Sequence, residues 1–151
     1  MAIDQFSRSL PMMLYRTLDA VMPRFRKIFN DFGLTEQQGR VLRVLWERDK
    51  IALGELAKLT LIPAPSLVGI VDRLSSMELV ARQRSDSDRR VVHVVATVKG
   101  QSLEAEIMPR LAAAYASLKQ SVDAESWDRA IQGLRQISAL GETAKPDDWP
   151  V

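Results

Sequence analysis

The chain has 151 residues, 46% of them hydrophobic, and a formal charge of only +2, enough for one ordinary domain or for a small lobe with helices donated to an oligomer. It contains no cysteine and a single histidine, which removes disulfides, thiolate nucleophiles and thiol-based switches and leaves no usual zinc cluster. Arg8, Arg16, Asp19 and Arg24 interrupt the apolar N-terminal region, so the expectation is a cytoplasmic chain with no membrane span or secretory leader.

From residue 9 to 32, Leu10, Met13, Leu14, Leu18, Val21, Met22, Phe25, Ile28 and Phe29 recur every three or four positions, which predicts one long amphipathic helix. Ser9 is its expected cap, Pro11 is tolerated in its first turn, and Pro23 is expected to bend it. Thr35 and Gln38 have capping-box spacing ahead of a second helix whose stripe is Val41, Leu42, Leu45 and Trp46. Ile51, Ala52 and Leu53 make a candidate short strand.

Ala52, Leu56, Ala57 and Leu59 then fall at helical spacing, as do Leu67, Ile70, Val71 and Leu74 after a break at residues 62–65. Pro63 helps end the first helix and Pro65 fits the first turn of the second, so the two meet at a tight corner. The second helix presents Pro65, Ser66, Val68 and Gly69, all small or apolar, before its first charges at Asp72 and Arg73. A slim end of this kind can approach DNA base edges: Ser66 can bond a base or a phosphate, and Pro65 can touch a thymine methyl. The competing assignment is structural, with Ser66 as a cap and Gly69 admitting a neighbouring helix.

The hairpin that follows favours the DNA-facing assignment. Residues 80–84 and 91–97 read as paired strands, joined by Ser85, Asp86, Ser87 and Asp88, whose side chains bond local backbone in turns. Arg82, Arg84, Arg89 and Arg90 cluster around it, four guanidiniums against two carboxylates, suited to phosphate contact and to a narrow minor groove. His93 alternates onto one face of the return strand with Val91 and Val95; a lone strand histidine is read as a satisfied structural residue or a phosphate contact. Without cysteine or a second histidine no conventional nucleophilic triad assembles, and no glycine-rich phosphate loop is present. No catalytic residue, metal or cofactor is therefore assigned.

The C-terminal part is again helical in pattern. Leu103, Ile107, Leu111, Ala114, Tyr115 and Leu118 form one stripe, which Pro109 is expected to kink or interrupt; Trp127, Ile131, Leu134, Ile137 and Leu140 form another, capped by Asp123 and stopped by Gly141. Residues 142–151, with two prolines and several charges, are expected to be loosely held. Residues 101–151 hold five Lys/Arg against eight Asp/Glu, a balance of −3, which leaves +5 on residues 1–100. The acidic part should face away from phosphate.

Helix, corner, helix, arginine-tipped hairpin and return strand make a winged helix-turn-helix. The sequence resembles the MarR family of transcriptional regulators through Leu79, Val80, Arg82, the wing triplet Asp88, Arg89 and Arg90, Thr97 and Gly100; Ser85 and Asp86 stand where family wings often carry Asp-Pro. The resemblance covers nearly the whole chain and implies a mainly α fold with a small antiparallel wing: one MarR-type chain over 1–151, a DNA-binding lobe at 35–97, and dimerisation helices at 8–32 and 101–141. It implies double-stranded operator DNA and a second copy of the chain as partners, with Pro65, Ser66, Val68, Gly69, Arg73, Arg82, Arg84, Asp88, Arg89 and Arg90 at the DNA. Asp88 would orient a wing arginine through an ion pair, and Arg90 would enter the minor groove. Two copies would set their reading helices about 34 Å apart on a pseudo-palindromic site. A winged-helix module that docks an acidic protein partner is the alternative.

Residues 8–47 resemble, within that family, the homoprotocatechuate and aromatic-catabolism repressor subgroup, which implies a small aromatic carboxylate as effector. Carboxylates need a cation, and arginine presents paired donors. Arg16, flanked by Tyr15 and Met13, is the first candidate, followed by Arg40, Arg43 and Trp46; for Arg16 a surface ion pair with Asp19 or Asp4 is the competing role. Relatives often carry tryptophan at the position of Gly39, so the pocket is expected to be either enlarged or abolished there.

Overall fold

The computed structural model describes residues 3–143, with side chains from 5 to 141. It is mostly helical: α1 (Ile3–Ser7), α2 (Leu10–Asn30), α3 (Glu36–Glu47), β1 (Ile51–Ala52), α4 (Leu53–Thr60), α5 (Ala64–Ser76), β2 (Val80–Arg84), β3 (Val92–Ala96), α6 (Val98–Gln120) and α7 (Ala124–Thr143). Among these, no single helix is long and apolar enough to cross a membrane. The described residues divide into two compact units, one through Ala112 and one from Ala113 onward; the expected loose tail beyond Thr143 lies outside them.

In the first unit, α3 is fixed at its start by the expected capping box. Thr35 Oγ1 accepts the Gln38 N–H at 3.1 Å while Gln38 Oε1 accepts the Thr35 N–H at 2.9 Å. Its stripe of Val41, Leu42 and Leu45 packs into a core with Leu56, Leu67, Ile70, Leu74, Val94 and Ile107. The sheet has the order β1-β3-β2 and is antiparallel throughout, with Ile51 and Arg82 flanking Val94 on one face and Ala52 and Gln83 flanking His93 on the other. Helices α4 and α5 meet at 104°, within the range of helix-turn-helix corners.

Three helix ends close in the same way. After α2, α4 and α5, a residue with positive φ (Gly33, Leu61 and Glu78) lets the next N–H reach back five residues, from Leu34 to Phe29 O, Ile62 to Ala57 O and Leu79 to Leu74 O. Leucine and glutamate tolerate that conformation at a cost of about 1 kcal/mol, and only Gly33 advertises it in the sequence.

Several sequence expectations are corrected. Ser9 stands at the N-cap of α2, but its hydroxyl donates to Phe6 O at 2.7 Å because the unforeseen α1 supplies an acceptor. Leu59 faces outward, and the buried partner of Leu56 in α4 is Thr60, whose hydroxyl is satisfied by Leu56 O at 2.7 Å. The interruption allowed for at Pro109 does not occur, and α2 likewise runs through Pro23, where only a bend was expected; one missing N–H is tolerated when the rest of the turn is hydrogen-bonded. Helix α7 continues past Gly141 to Thr143; a glycine ends a helix only where the chain turns to positive φ.

In the second unit, Asp123 caps α7 as expected, its Oδ1 accepting the Ser126 N–H at 2.9 Å. That hydrogen bond holds the Asp123 carboxyl below its ordinary pKa. Tyr115 and Trp127 meet edge to face at 5.5 Å. Leu134, Ile137 and Leu140 remain exposed along α7.

Candidate nucleic-acid interface

The fold sets one face of α5 free beside the wing. Leu67, Ile70, Val71 and Leu74 point into the core, and at about 100° per residue the opposite stripe carries Pro65, Gly69 and Asp72, with Val68 on one flank and Ser66 and Arg73 on the other. Pro65 lies in the first turn and Pro63 occupies the N-cap, so Ser66 caps nothing. A Cβ added at Gly69 meets nothing within 4 Å, so the glycine admits no neighbouring helix either. Both structural alternatives for these residues therefore fail in the chain itself.

Arg82 ties the wing to this helix. Its guanidinium pairs with Asp72 at 2.6 Å and donates to Val68 O at 3.2 Å. Neither bond was legible in the sequence, because ten residues and a turn separate Arg82 from Asp72. Below the bridge lies an open recess of about 340 Å³ lined by Leu53, Val68, Arg82, Arg84 and Val92.

At the wing tip the Ser85 N–H bonds Val91 O and the Val91 N–H bonds Asp88 O, each at 3.0 Å. The ion pair implied for Asp88 is absent among the described residues. Its Oδ1 instead accepts the backbone N–H of Arg90 at 3.0 Å, because a short aspartate in a tight turn reaches the amide two residues on more readily than a guanidinium. Asp88 thus shapes the tip, while Arg84, Arg89 and Arg90 are exposed and form no ion pair among the described residues. His93 is half-buried with its Nδ1 closed off and without a hydrogen-bond partner, which corrects the expectation of a satisfied ring; Ala52, across one edge of the strand, has no polar side-chain group to offer.

The lobe is locked to the start of α6. Thr97 Oγ1 donates to Glu78 O at 2.6 Å and accepts the Gly100 N–H at 3.0 Å, Lys99 Nζ donates to Met77 O at 2.9 Å, and Trp46 Nε1 donates to Gly100 O at 3.0 Å. Gly100 has no room for a side chain: a Cβ there would sit 2.0 Å from Leu79 O. Arg110, farther along α6, pairs with Asp31 at the end of α2 and stacks over the Phe32 ring at 5.4 Å. The Arg110 hydrogen bond, then that of Lys27, holds the Asp31 carboxyl below its ordinary pKa.

The residues expected to hold a ligand lie on two helices, α2 and α3. Met13, Tyr15 and Arg16 are exposed on α2, and Arg16 makes no ion pair with Asp19; the side chain of Asp4 lies outside the described residues. Arg40 is committed to Glu36 through Nε and Nη2, at 3.0 and 2.7 Å, and to Thr60 O through Nη1 at 2.8 Å. Arg43 is exposed, and Trp46 is engaged with Gly100. The space freed at Gly39 does not enlarge a pocket, since the Phe29 ring fills it, 2.3 Å from where a Cβ would stand.

Comparison with known proteins fits this geometry. The MarR family model matches residues 34–92, and the homoprotocatechuate degradative operon repressor of Escherichia coli is 32% identical over 139 residues, 92% of this chain and 94% of the relative. The chain belongs to the MarR family. As a MarR-type DNA-binding transcriptional regulator it also shares its fold with solved structures. The transcriptional regulator PA4135 superposes with a TM-score of 0.80 at 30% identity, covering 87% of this chain and 97% of that one. NadR in complex with 4-hydroxyphenylacetate gives 0.72 at 30% identity, covering 85% and 92%.

Proposed function

We propose that this MarR-type regulator is a repressor that binds a pseudo-palindromic operator as a homodimer and is released by a small aromatic carboxylate. The observation that carries the reading is the face of α5 turned away from the core, beside a wing whose Arg84, Arg89 and Arg90 are exposed and form no ion pair among the described residues. Pro65, Ser66, Val68, Gly69 and Arg73 face the major groove. Arg84, Arg89 and Arg90 meet phosphates and the minor groove, which supplies register and affinity. Arg82 and Asp88 hold the wing in place for them. The lobe is residues 35–97, and residues 8–32 and 101–141 serve dimerisation. In a single chain Phe6, Leu10, Met13 and Leu18 near the N-terminus, and Leu134, Ile137 and Leu140 on α7, stand in water; a second copy covers such surface. The chain performs no turnover and works in the cytoplasm, beside the DNA it reads.

The effector class is supported by the relatives, one named for the homoprotocatechuate operon and one solved with 4-hydroxyphenylacetate. Arg16 is the uncommitted cation for the carboxylate, with Met13 and Tyr15 against the ring. Arg40 and Trp46, already engaged, shape the neighbourhood, and Arg43 is second in line. A ligand that prefers a conformer with the wrong lobe spacing lowers DNA affinity by shifting populations. The test is salt-titrated binding of the full-length protein to duplex from its own upstream region, with and without 4-hydroxyphenylacetate. The expected result is tight, sequence-dependent binding that the acid weakens. Equal affinity for random duplex removes the operator reading; selective binding that no aromatic acid disturbs removes the effector.

A further inference from the structure

We propose that α5 reads its half-site through thymine methyl groups, with the bare backbone at Gly69 admitting the base edges and Arg73 as the one guanine-reading fork on that face. The inference rests on the operator-binding reading above and names the chemistry of the DNA that it selects.

Hydrogen-bonded base readout needs particular side chains: Arg or Lys for guanine, Asn or Gln for adenine, Asp or Glu for cytosine. From Ala64 to Val71 the helix has none of these. Ser66 carries the only side-chain hydrogen-bonding group in that stretch, and a hydroxyl serves donor and acceptor edges alike. The next polar residue, Asp72, is held by Arg82 at 2.6 Å, and Ser76 Oγ donates to Asp72 O at 3.0 Å. What remains for discrimination is apolar contact by Pro65 and by Val68, which is 40% exposed. In the major groove the apolar feature that separates bases is the thymine C5-methyl. Arg73, exposed and without an ion pair among the described residues, can present a bidentate fork.

Gly69 supplies the second line of argument. Glycine inside a helix is costly relative to alanine, and elsewhere the chain shows what can require it: a Cβ at Gly39 would strike the Phe29 ring and one at Gly100 would strike Leu79 O. At Gly69 nothing lies within 4 Å. No contact among the described residues asks for glycine there, and the vacant position lies in the centre of the stripe that faces the groove. Gly54, Gly133 and Gly141 are similarly open, but none is on α5. A flat spot flanked by Pro65 and Val68 brings the methyls against the helix with no Cβ to hold them off.

The experiment begins with selection of a randomised duplex pool on the full-length protein, followed by synthesis of the consensus with thymine or with deoxyuridine, which lacks only the methyl. Each contacted methyl removed should weaken binding about fourfold. Gly69→Ala should raise the melting temperature yet reduce preference for the consensus over random duplex by about tenfold, and Arg73→Ala should relax selection at a guanine position. A consensus that binds equally well with deoxyuridine throughout, or a Gly69→Ala protein of undiminished selectivity, overturns the inference and leaves the operator reading standing. A Gly69→Ala protein that melts earlier also overturns it, because the glycine then has a structural cause. A pool that yields no consensus removes the operator reading itself.

Discussion

Gly100→Ala should destabilise the lobe by about 2 kcal/mol, even though alanine is the better helix former. A Cβ at this position sits 2.0 Å from Leu79 O and 3.0 Å from its carbonyl carbon, both backbone atoms that cannot rotate aside. Relief requires the start of α6 or the entry to β2 to move by more than 1 Å, a displacement of packed structure that costs about 1–3 kcal/mol. The same movement strains the Trp46 hydrogen bond to Gly100 O and the Thr97 bonds to Glu78 O and Gly100 N–H, adding about 1 kcal/mol. The helix preference of alanine returns about 1 kcal/mol. Thermal unfolding of a chain this size moves by about 2–4 °C per kcal/mol, so calorimetry should show a fall of about 4–8 °C. Gly54→Ala, where nothing lies within 4 Å, serves as the matched control and should show no loss. If Gly100→Ala melts at or above the wild-type temperature, the junction between Leu79 and α6 yields freely and the steric reasoning is wrong.

Four other perturbations test separate contacts. Arg82→Ala and Asp72→Ala should each weaken specific DNA binding, and a double-mutant cycle on stability should give a coupling of about 0.5–1 kcal/mol for this partly exposed pair; purely additive effects would mean that the brace is idle. Arg90→Ala should lower the slope of log affinity against log salt by about one unit, and an unchanged slope would mark a structural arginine. Because Arg110 and Lys27 depress the Asp31 pKa below its ordinary 3.8, the ion pair contributes stability above that value and loses it as pH falls through the lower folded value. Asp31→Asn should therefore unfold over a flatter acid limb than wild type; superimposable curves would contradict the assignment. Arg16→Ala should leave operator affinity intact while blunting release by an aromatic acid, and normal release would move the ligand elsewhere.

What the sequence revealed was whatever is encoded locally. The capping box of Thr35 and Gln38, the short strand at Ile51 and the span of β2 follow from spacing and propensity within a few residues, and all stand where expected. Contacts set by tertiary proximity were invisible: Trp46 reaches Gly100 across 54 positions and Arg110 reaches Asp31 across 79. That is also why the wing arginines looked equivalent. Only the packing of β2 on α5 separates Arg82, which is spent on Asp72 and Val68, from Arg84, Arg89 and Arg90. Apolar periodicity placed Leu59 in the core because it is hydrophobic, but Thr60 lies on the inward face and satisfies its own hydroxyl, so phase outweighs residue type. Punctuation was over-read at Gly141, which α7 passes by two residues, and at Pro109 insofar as an interruption was allowed for there.

The indole bond between Trp46 and Gly100 has an optical consequence. The chain has three tryptophans, and Trp46 has its ring half-buried and its N–H committed to the first turns of α6. Replacing Trp127 and Trp149 with phenylalanine would leave a single tryptophan, at the joint between lobe and long helix, to be excited apart from the two tyrosines. Any ligand or duplex that opened that joint would release the indole N–H to water and shift its emission to the red. The protein thus carries its own gauge of lobe movement, with no dye required.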